Sequence, residues 1–392
     1  MSDDIVILSG ARTAIGTFGG SLSGMAPIDT ATVAAKAAID RAGVEAAQIG
    51  HVVFGHVINT EPRDAYLSRV AAIQAGIPDS VPAMNVNRLC GSGAQAIVSA
   101  VQALALGDAQ FALAGGAESM SRAPYILPAA RWGQKMGDVG AQDMMLGALT
   151  CPFGTGHMGV TAENVARECG VTREAQDAFA LESQVRAARA IAEGRFKDQI
   201  APIMVKSRKG EVAFDTDEHP KATSLEALAG LRPAFDKAGT VTAGNASGIN
   251  DGAGAVVLAR ADAAEAAGLK PRARVVGYAV AGVRPEVMGI GPIPAVEALL
   301  KRTGLSVADF DVIESNEAFA AQALAVNAGL GLDPARVNPN GGAIALGHPV
   351  GATGAIVTVK AMYELERIGG RYGLITMCIG GGQGIALAIE RL

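Results

Sequence analysis

Asn87-Arg88-Leu89-Cys90-Gly91-Ser92-Gly93-Ala94 and, far downstream, Gly347-His348-Pro349-Val350-Gly351-Ala352 decide the fold when one is laid over the other. In the first stretch, Val86-Asn87 leads to Cys90-Gly91-Ser92-Gly93-Ala94 and an apolar helix reaching about Leu106. In the second, Val337-Asn338 leads through a Gly-rich turn to His348 and a helix reaching about Ile368. The match extends outward in both directions. Upstream, helix-like Ala34 to Val44 precedes strand-like His51 to Gly55, as Ala295 to Leu305 precedes Asp311 to Ser315. Downstream, Ala112 to Gly116 lines up with Thr376 to Gly382. Repetition on this scale means that two copies of one supersecondary unit stack to bury a common core. Strands alternating with helices at these lengths make each copy a layered α/β half around a central sheet.

The expected organisation is a first half from residues 1–118 together with 249–268, an inserted loop domain at 119–248 that does not repeat, and a second half at 269–392. The insertion carries a strongly periodic helix, Glu174 to Gly194, and the basic Lys206-Ser207-Arg208-Lys209-Gly210. If the halves pack about a pseudo-twofold axis, Cys90 and His348 converge at the seam between them. A thiol nucleophile needs such a partner.

Composition bounds the rest. About half of the residues are apolar and 18% are charged, so a large core is available and disorder is not expected. The net charge of −5 advertises no nucleic-acid partner. The start, Met1-Ser2-Asp3-Asp4, lacks a basic leader, and no uninterrupted run is expected to span a bilayer, which makes the cytoplasm the default location. Cys90, Cys151, Cys169 and Cys378 show no C-x-x-C spacing, so neither a zinc ribbon nor a dithiol redox motif is signalled.

Cys90 precedes two glycines and a helix, an environment expected to lower the thiol pKa through the helix N-terminus and a nearby imidazole. Pro349 fits a first helical position, leaving His348 at a helix mouth. Cys378 ends a strand in Leu374-Ile375-Thr376-Met377-Cys378-Ile379-Gly380; a second thiol is suited to moving a proton at a carbon α to a thioester. Asn316 follows a strand and opens a helix, which fits both an oxyanion donor and a plain N-cap. Cys151 and Cys169 read as structural.

Seven motifs in order resemble the thiolase family: Asn87 to Gly93, Gly115 to Ser121, His157 to Asn164, Val241 to Ala253, Asn316 to Ala320, Gly347 to Gly354 and Cys378 to Gly384. The resemblance spans essentially the whole chain. It implies an α/β/α/β/α arrangement of the duplicated halves and reversible, ping-pong condensation of two acetyl-CoA, or thiolysis of short 3-ketoacyl-CoA, through acyl-Cys90. His348 would activate the incoming thiol, Cys378 would handle the α-proton, and Asn316 would hold a water at the enolate oxygen. The backbone N–H groups of Cys90 and Gly380 would serve the tetrahedral intermediate.

By the same resemblance His157, Ala243, Ser247, Ala318 and Phe319 line a pantetheine channel, Phe235 lies near the adenine, and Met158 and Met288 flank the acyl pocket. CoA is then a substrate, and no metal or bound cofactor is expected. Lys221, Lys206, Arg208 and Lys209 are the candidates for its phosphates. Relatives commonly carry Ala at Ser315. The Ser121 to Tyr125 and Ala130 to Gly133 segments resemble broader-range β-ketothiolases, and the family implies a homotetramer. The alternatives are a medium- or long-chain degradative thiolase and a non-catalytic acyl-CoA or lipid carrier on the same scaffold.

Overall fold

The computed structural model describes residues 4–207 and 210–392. The first half runs β1 (Ile5–Arg12), α1 (Pro27–Ala42), β2 (His51–Gly55), α2 (Leu67–Gln74), β3 (Ala83–Val86), α3 (Ser92–Leu106) and β4 (Phe111–Ser119). The long middle segment contributes α4 (Met158–Cys169) and α5 (Arg173–Ala192), after which β5 (Asn250–Arg260) enters between β1 and β4. The second half runs β6 (Ala273–Gly282), α6 (Pro292–Thr303), β7 (Phe310–Ser315), α7 (Ala320–Leu330), α8 (Thr353–Ile368), β8 (Tyr372–Ile379) and β9 (Gln383–Arg391).

The two halves repeat strand for strand. β1 pairs antiparallel with β5, β5 antiparallel with β4, and β4 and β3 flank β2 in parallel. In the second half β6 pairs antiparallel with β9, β9 antiparallel with β8, and β8 parallel with β7. The counterpart of β3 is reduced to a single parallel bridge, Ile313 to Val337. The duplicated α/β fold expected from the repeats is thus present. One detail differs: the halves do not keep separate sheets. Two rungs, Val6 to Arg274 and Ile7 to Ala273, join them into one ten-stranded sheet that includes the short strand Gly16–Thr17.

Alternation explains the layers. On β1, Ile5 and Ile7 face the inner cluster with Ile97, Leu104, Val359 and Leu365 of α3 and α8, while Val6 and Leu8 face α1 with Ile28 and Ile39. Side chains of a strand point to opposite faces, so a sheet covered on both sides needs an apolar residue at every position. The segment Leu89–Leu106 is, against expectation, as long and apolar as a bilayer span, but it forms a core helix packed on α8. The middle segment is fastened to β1 by a fully buried bidentate pair, Arg12 Nη1 and Nη2 to Asp217 at 2.7 and 2.9 Å.

The glycine pairs of the two copies are offset. Gly115 and Gly116 lie inside β4, whereas Gly380 to Gly382 follow β8. Matched by strand ends instead, Glu118 is the penultimate residue of β4 and Cys378 that of β8. His56 directly follows β2 as Asn316 directly follows β7.

Candidate active site

Cys90 is delivered by a strained elbow. Leu89, immediately before it, sits at φ 46°, a left-handed conformation that disfavours a side chain of this size. Such strain costs about 1–3 kcal/mol and persists only where neighbours over-determine it. Here Ser92 does so: its hydroxyl donates to Leu89 O at 2.6 Å and accepts from Arg88 N at 2.9 Å, while Asn87 Oδ1 accepts from Leu89 N at 2.9 Å. In the second copy Asn338, at the place of Asn87, is the left-handed residue, at φ 44°.

The thiol lies below the first turn of α3, whose N-cap is Gly91. Burial pushes its pKa up to about 11, while the N–H groups of Gly380 and of Cys90 itself, hydrogen-bonded to the sulfur, pull the other way. The direction is opposite to the lowering expected from the helix end: desolvation outweighs the two hydrogen bonds. Cys378, fully buried, is held above the ordinary thiol range by burial and by its neighbour Cys90.

His348 precedes its helix by more than expected. Pro349 opens a turn, accepting from Ala352 N and Thr353 N, and α8 starts only at Thr353. The imidazole is buried, which pushes its pKa down to about 4, so it is neutral at physiological pH. Its tautomer follows from Thr353. That hydroxyl has one proton and donates it to Pro349 O at 2.9 Å, so at 2.6 Å it accepts from His348 Nδ1–H. Nε2 is left as the basic nitrogen, with Asn316 Nδ2 at 3.4 Å. The backbone of His348 is fixed by its N–H, which donates to Asn250 Oδ1 at 2.9 Å.

Cys90, His348, Cys378 and Gly380 share one cavity of about 500 Å³ with His157, Met158, Phe235, Ala243, Ser247, Met288, Ala318 and Phe319. Asn316 stands just behind it, reached through His348, and its Oδ1 is buried without a partner. His157 caps α4, accepting from Gly159 N at 3.0 Å, and its ring stacks on Phe235 at 4.7 Å; Phe235 in turn meets Phe319 edge-on at 6.1 Å. Met158 and Met288 pack with Cys378 and Cys151 at the inner end. The wall carrying Ala243 and Ser247 is pinned by Glu163, which accepts from Thr240 N and Val241 N, and by Ser247 N donating to Ala318 O.

Of the phosphate candidates, Lys221 lines the cavity, Lys206 is exposed on the hairpin Ile203–Ser207 and Gly210–Phe214, and Arg208 and Lys209 lie outside the described residues. Cys151 is buried in the wall behind the site, and Cys169 is exposed. Sequence reasoning missed Thr353, Asn250 and the strained Leu89. Thr353, five residues past His348, was findable as a hydroxyl on the adjoining turn. Leu89 left no signal, since glycine is the residue that marks a positive φ. Among the described residues, no group of three or more His, Cys, Asp or Glu could hold a metal ion.

Comparison with known proteins identifies the family. Residues 5–262 match the thiolase N-terminal domain and residues 269–391 the thiolase C-terminal domain. The chain is 61% identical to the β-ketothiolase BktB of Cupriavidus necator and 52% identical to an acetyl-CoA acetyltransferase of Thiocystis violacea, each match covering 100% of both chains. The crystal structure of the Bacillus anthracis acetyl-CoA acetyltransferase has a TM-score of 0.97 at 47% identity, covering 99% of each chain. With both domain models matched in order and close relatives alike from end to end, the chain belongs to the thiolase family.

Proposed function

We propose that this enzyme condenses two acetyl-CoA to acetoacetyl-CoA and, in reverse, cleaves short 3-ketoacyl-CoA by thiolysis, in two steps through acyl-Cys90. The observation that carries the reading is one cavity holding two sulfurs, a neutral imidazole whose Nε2 carries no proton, and two backbone N–H groups aimed at the first sulfur. The relatives' names, acetyl-CoA acetyltransferase and β-ketothiolase, support the same substrate class.

In thiolysis Cys90 Sγ attacks the 3-keto carbon as its proton passes to His348 Nε2. A thiol near 11 beside an imidazole near 4 rests as a neutral pair, so the proton moves during attack and not before it. The oxyanion forms against the N–H groups of Cys90 and Gly380, which are already in place and need no reorganisation. The bond between the α- and 3-keto carbons then breaks. Its electron pair goes to the departing acetyl-CoA, whose enolate oxygen faces His348 with Asn316 behind it, and Cys378 S–H protonates the carbon. The proton that His348 took from Cys90 passes to the Cys378 thiolate; the second CoA thiol then gives its proton to the freed Nε2, its sulfur takes the acyl group, and the departing Cys90 thiolate recovers that proton. Condensation runs these steps backward, with Cys378 as the base.

CoA enters as a substrate, its pantetheine passing His157, Ser247 and Phe319 and its phosphates meeting Lys221 at the mouth. Met158 and Met288 close the inner end and favour short acyl groups. The assembly in this reading is a cytoplasmic homotetramer, and the exposed run Tyr125, Leu127, Trp132 and Met136, with Trp132 at 87% and Met136 at 89% exposure, supports a subunit contact through this segment. Light scattering on a Trp132→Ala/Met136→Ala variant tests the assembly; an unchanged mass rejects this contact. The test of the chemistry is Cys90→Ala, expected to abolish acetoacetyl-CoA thiolysis. Turnover by that variant defeats the assignment. Rates for acetoacetyl-, 3-ketovaleryl- and 3-ketohexanoyl-CoA, measured side by side, set the acyl range.

A further inference from the structure

At the ends of β2 and β4, where the second half places Asn316 and Cys378, the first half holds a different pair. His56 follows β2, and Glu118 is the penultimate residue of β4; both are buried, Glu118 fully. A carboxylate without solvent is unfavourable unless its lone pairs are filled, and these are. Glu118 Oε1 accepts from Ile58 N at 3.1 Å, and Oε2 accepts from Val57 N at 3.1 Å and Gly351 N at 2.9 Å. His56 Nδ1 stands 3.3 Å from Oε1 and 3.0 Å from Ala117 O. Two acceptors face that nitrogen, so it carries the proton; its hydrogen bond goes to Ala117 O, and the ring thereby stands against the carboxylate. Burial raises the carboxyl pKa, while the neighbouring His56 and the N–H groups of Ile58, Gly351 and Val57 favour the ionised form. Nothing in the reaction described above uses either residue.

The decisive contact is Gly351. It lies three residues after His348, in the turn that sets the height of the imidazole over the first half. A Cβ at Gly351 would come within 2.4 Å of Glu118 Oε2, and one at Gly116 within 2.2 Å of Gly351 O. The turn is therefore seated directly on the carboxylate and the strand that carries it. The same carboxylate holds Val57, which lines the cavity on the Cys90 side.

We propose that Glu118, held by His56, is a positioning residue that sets His348 relative to Cys90 by gripping the Gly351 N–H and the Val57-Ile58 backbone together. It touches no substrate and acts through the imidazole. The proposal rests on the reading of His348 as the proton acceptor.

A double-mutant cycle tests it. Glu118→Gln keeps the shape but replaces one acceptor oxygen by a donor. We expect kcat for acetoacetyl-CoA thiolysis, and the rate of Cys90 alkylation by iodoacetamide at fixed pH, to fall roughly 10- to 100-fold, with KM for CoA within about threefold of wild type. In a His348→Asn background the same substitution lowers alkylation by less than about threefold, because the group it positions is gone. Equal losses in both backgrounds mean a general structural role and overturn the proposal, as does an unchanged kcat. Should Glu118→Gln fail to fold, His56→Gln, which leaves the carboxylate in place, goes through the same cycle with an expected loss of roughly 3- to 10-fold that vanishes without His348. A His348→Asn enzyme as fast as wild type in thiolysis and in alkylation sinks the reading of His348 itself; equal losses in the cycle sink only the role of Glu118.

Discussion

Replacing Thr353 by valine removes one buried hydroxyl and keeps the shape of the side chain. That hydroxyl is the acceptor for His348 Nδ1–H at 2.6 Å, and Thr353 is 2% exposed, so water cannot take its place. Two outcomes are open to the imidazole. It keeps the Nδ1 proton without a partner, at a cost of about 1–3 kcal/mol. Alternatively it moves the proton to Nε2, and the nitrogen facing the site ceases to be a base. Either way the loss falls on proton transfer, and at about 1.4 kcal/mol per decade it lowers kcat roughly 5- to 150-fold. Thr353 does not line the cavity, so KM for CoA should hold. Steady-state thiolysis of acetoacetyl-CoA reads both constants, and iodoacetamide labelling of Cys90 gives an independent rate. Thr353→Ser, which keeps the acceptor, should restore most of the activity. A valine variant within about twofold of wild type in kcat would refute the tautomer reasoning.

Cys378→Ser should separate the two half-reactions. Condensation falls about 10²- to 10⁴-fold, since a hydroxyl is a far weaker acid–base group, while acetyl transfer from acetyl-CoA to Cys90, trapped as labelled enzyme, persists; loss of both contradicts the assigned role. Lys221→Ala should raise KM for CoA roughly two- to fivefold, a difference that shrinks as salt is added; a salt-independent effect removes Lys221 from phosphate binding. Stability should also depend on His348 as the solution is acidified. Its folded pKa of about 4 lies below the ordinary 6.5, so between these values the unfolded chain binds the extra proton, and stability is lost as pH falls through that window. The difference is about 2 kcal/mol at pH 5. Buried Glu118, Glu314 and Glu317, held above the usual range chiefly by burial, act in the opposite direction. Urea midpoints of wild type and His348→Asn must therefore be compared at about pH 7 and about pH 5, and parallel pH slopes would count against a buried neutral imidazole.

The duplicated fold was legible because each copy keeps the same succession of helix, strand and glycine turn around Cys90 and His348. Cys378 and Asn316 could be placed by their position at strand ends, and Gly380 by the family resemblance. What the sequence concealed depends on distance in space. The direction of the Cys90 shift turns on burial against a helix end, and no local pattern reports how deep a sulfur lies. Glu118 sits in the nearly apolar strand Phe111–Ser119, where a single acid looks like an edge residue until Gly351, 233 positions away, is found against it. The start of α8 was misjudged because Pro349 serves a turn as readily as a helix. The two-rung junction of the sheets involves Val6 and Ile7, which look like any other interior strand residues.

That narrow junction has an evolutionary reading. Identical units arranged about a twofold axis would be obliged to present the same group twice at every equivalent place. Once both units lie on one polypeptide that obligation ends, and each copy can specialise: one bears the nucleophile, the other the proton carriers. Where one copy has an amide and a sulfur, the other has an imidazole and a carboxylate that hold the scaffold. Catalysis then reports on docking, because neither copy by itself owns a complete set of reacting groups.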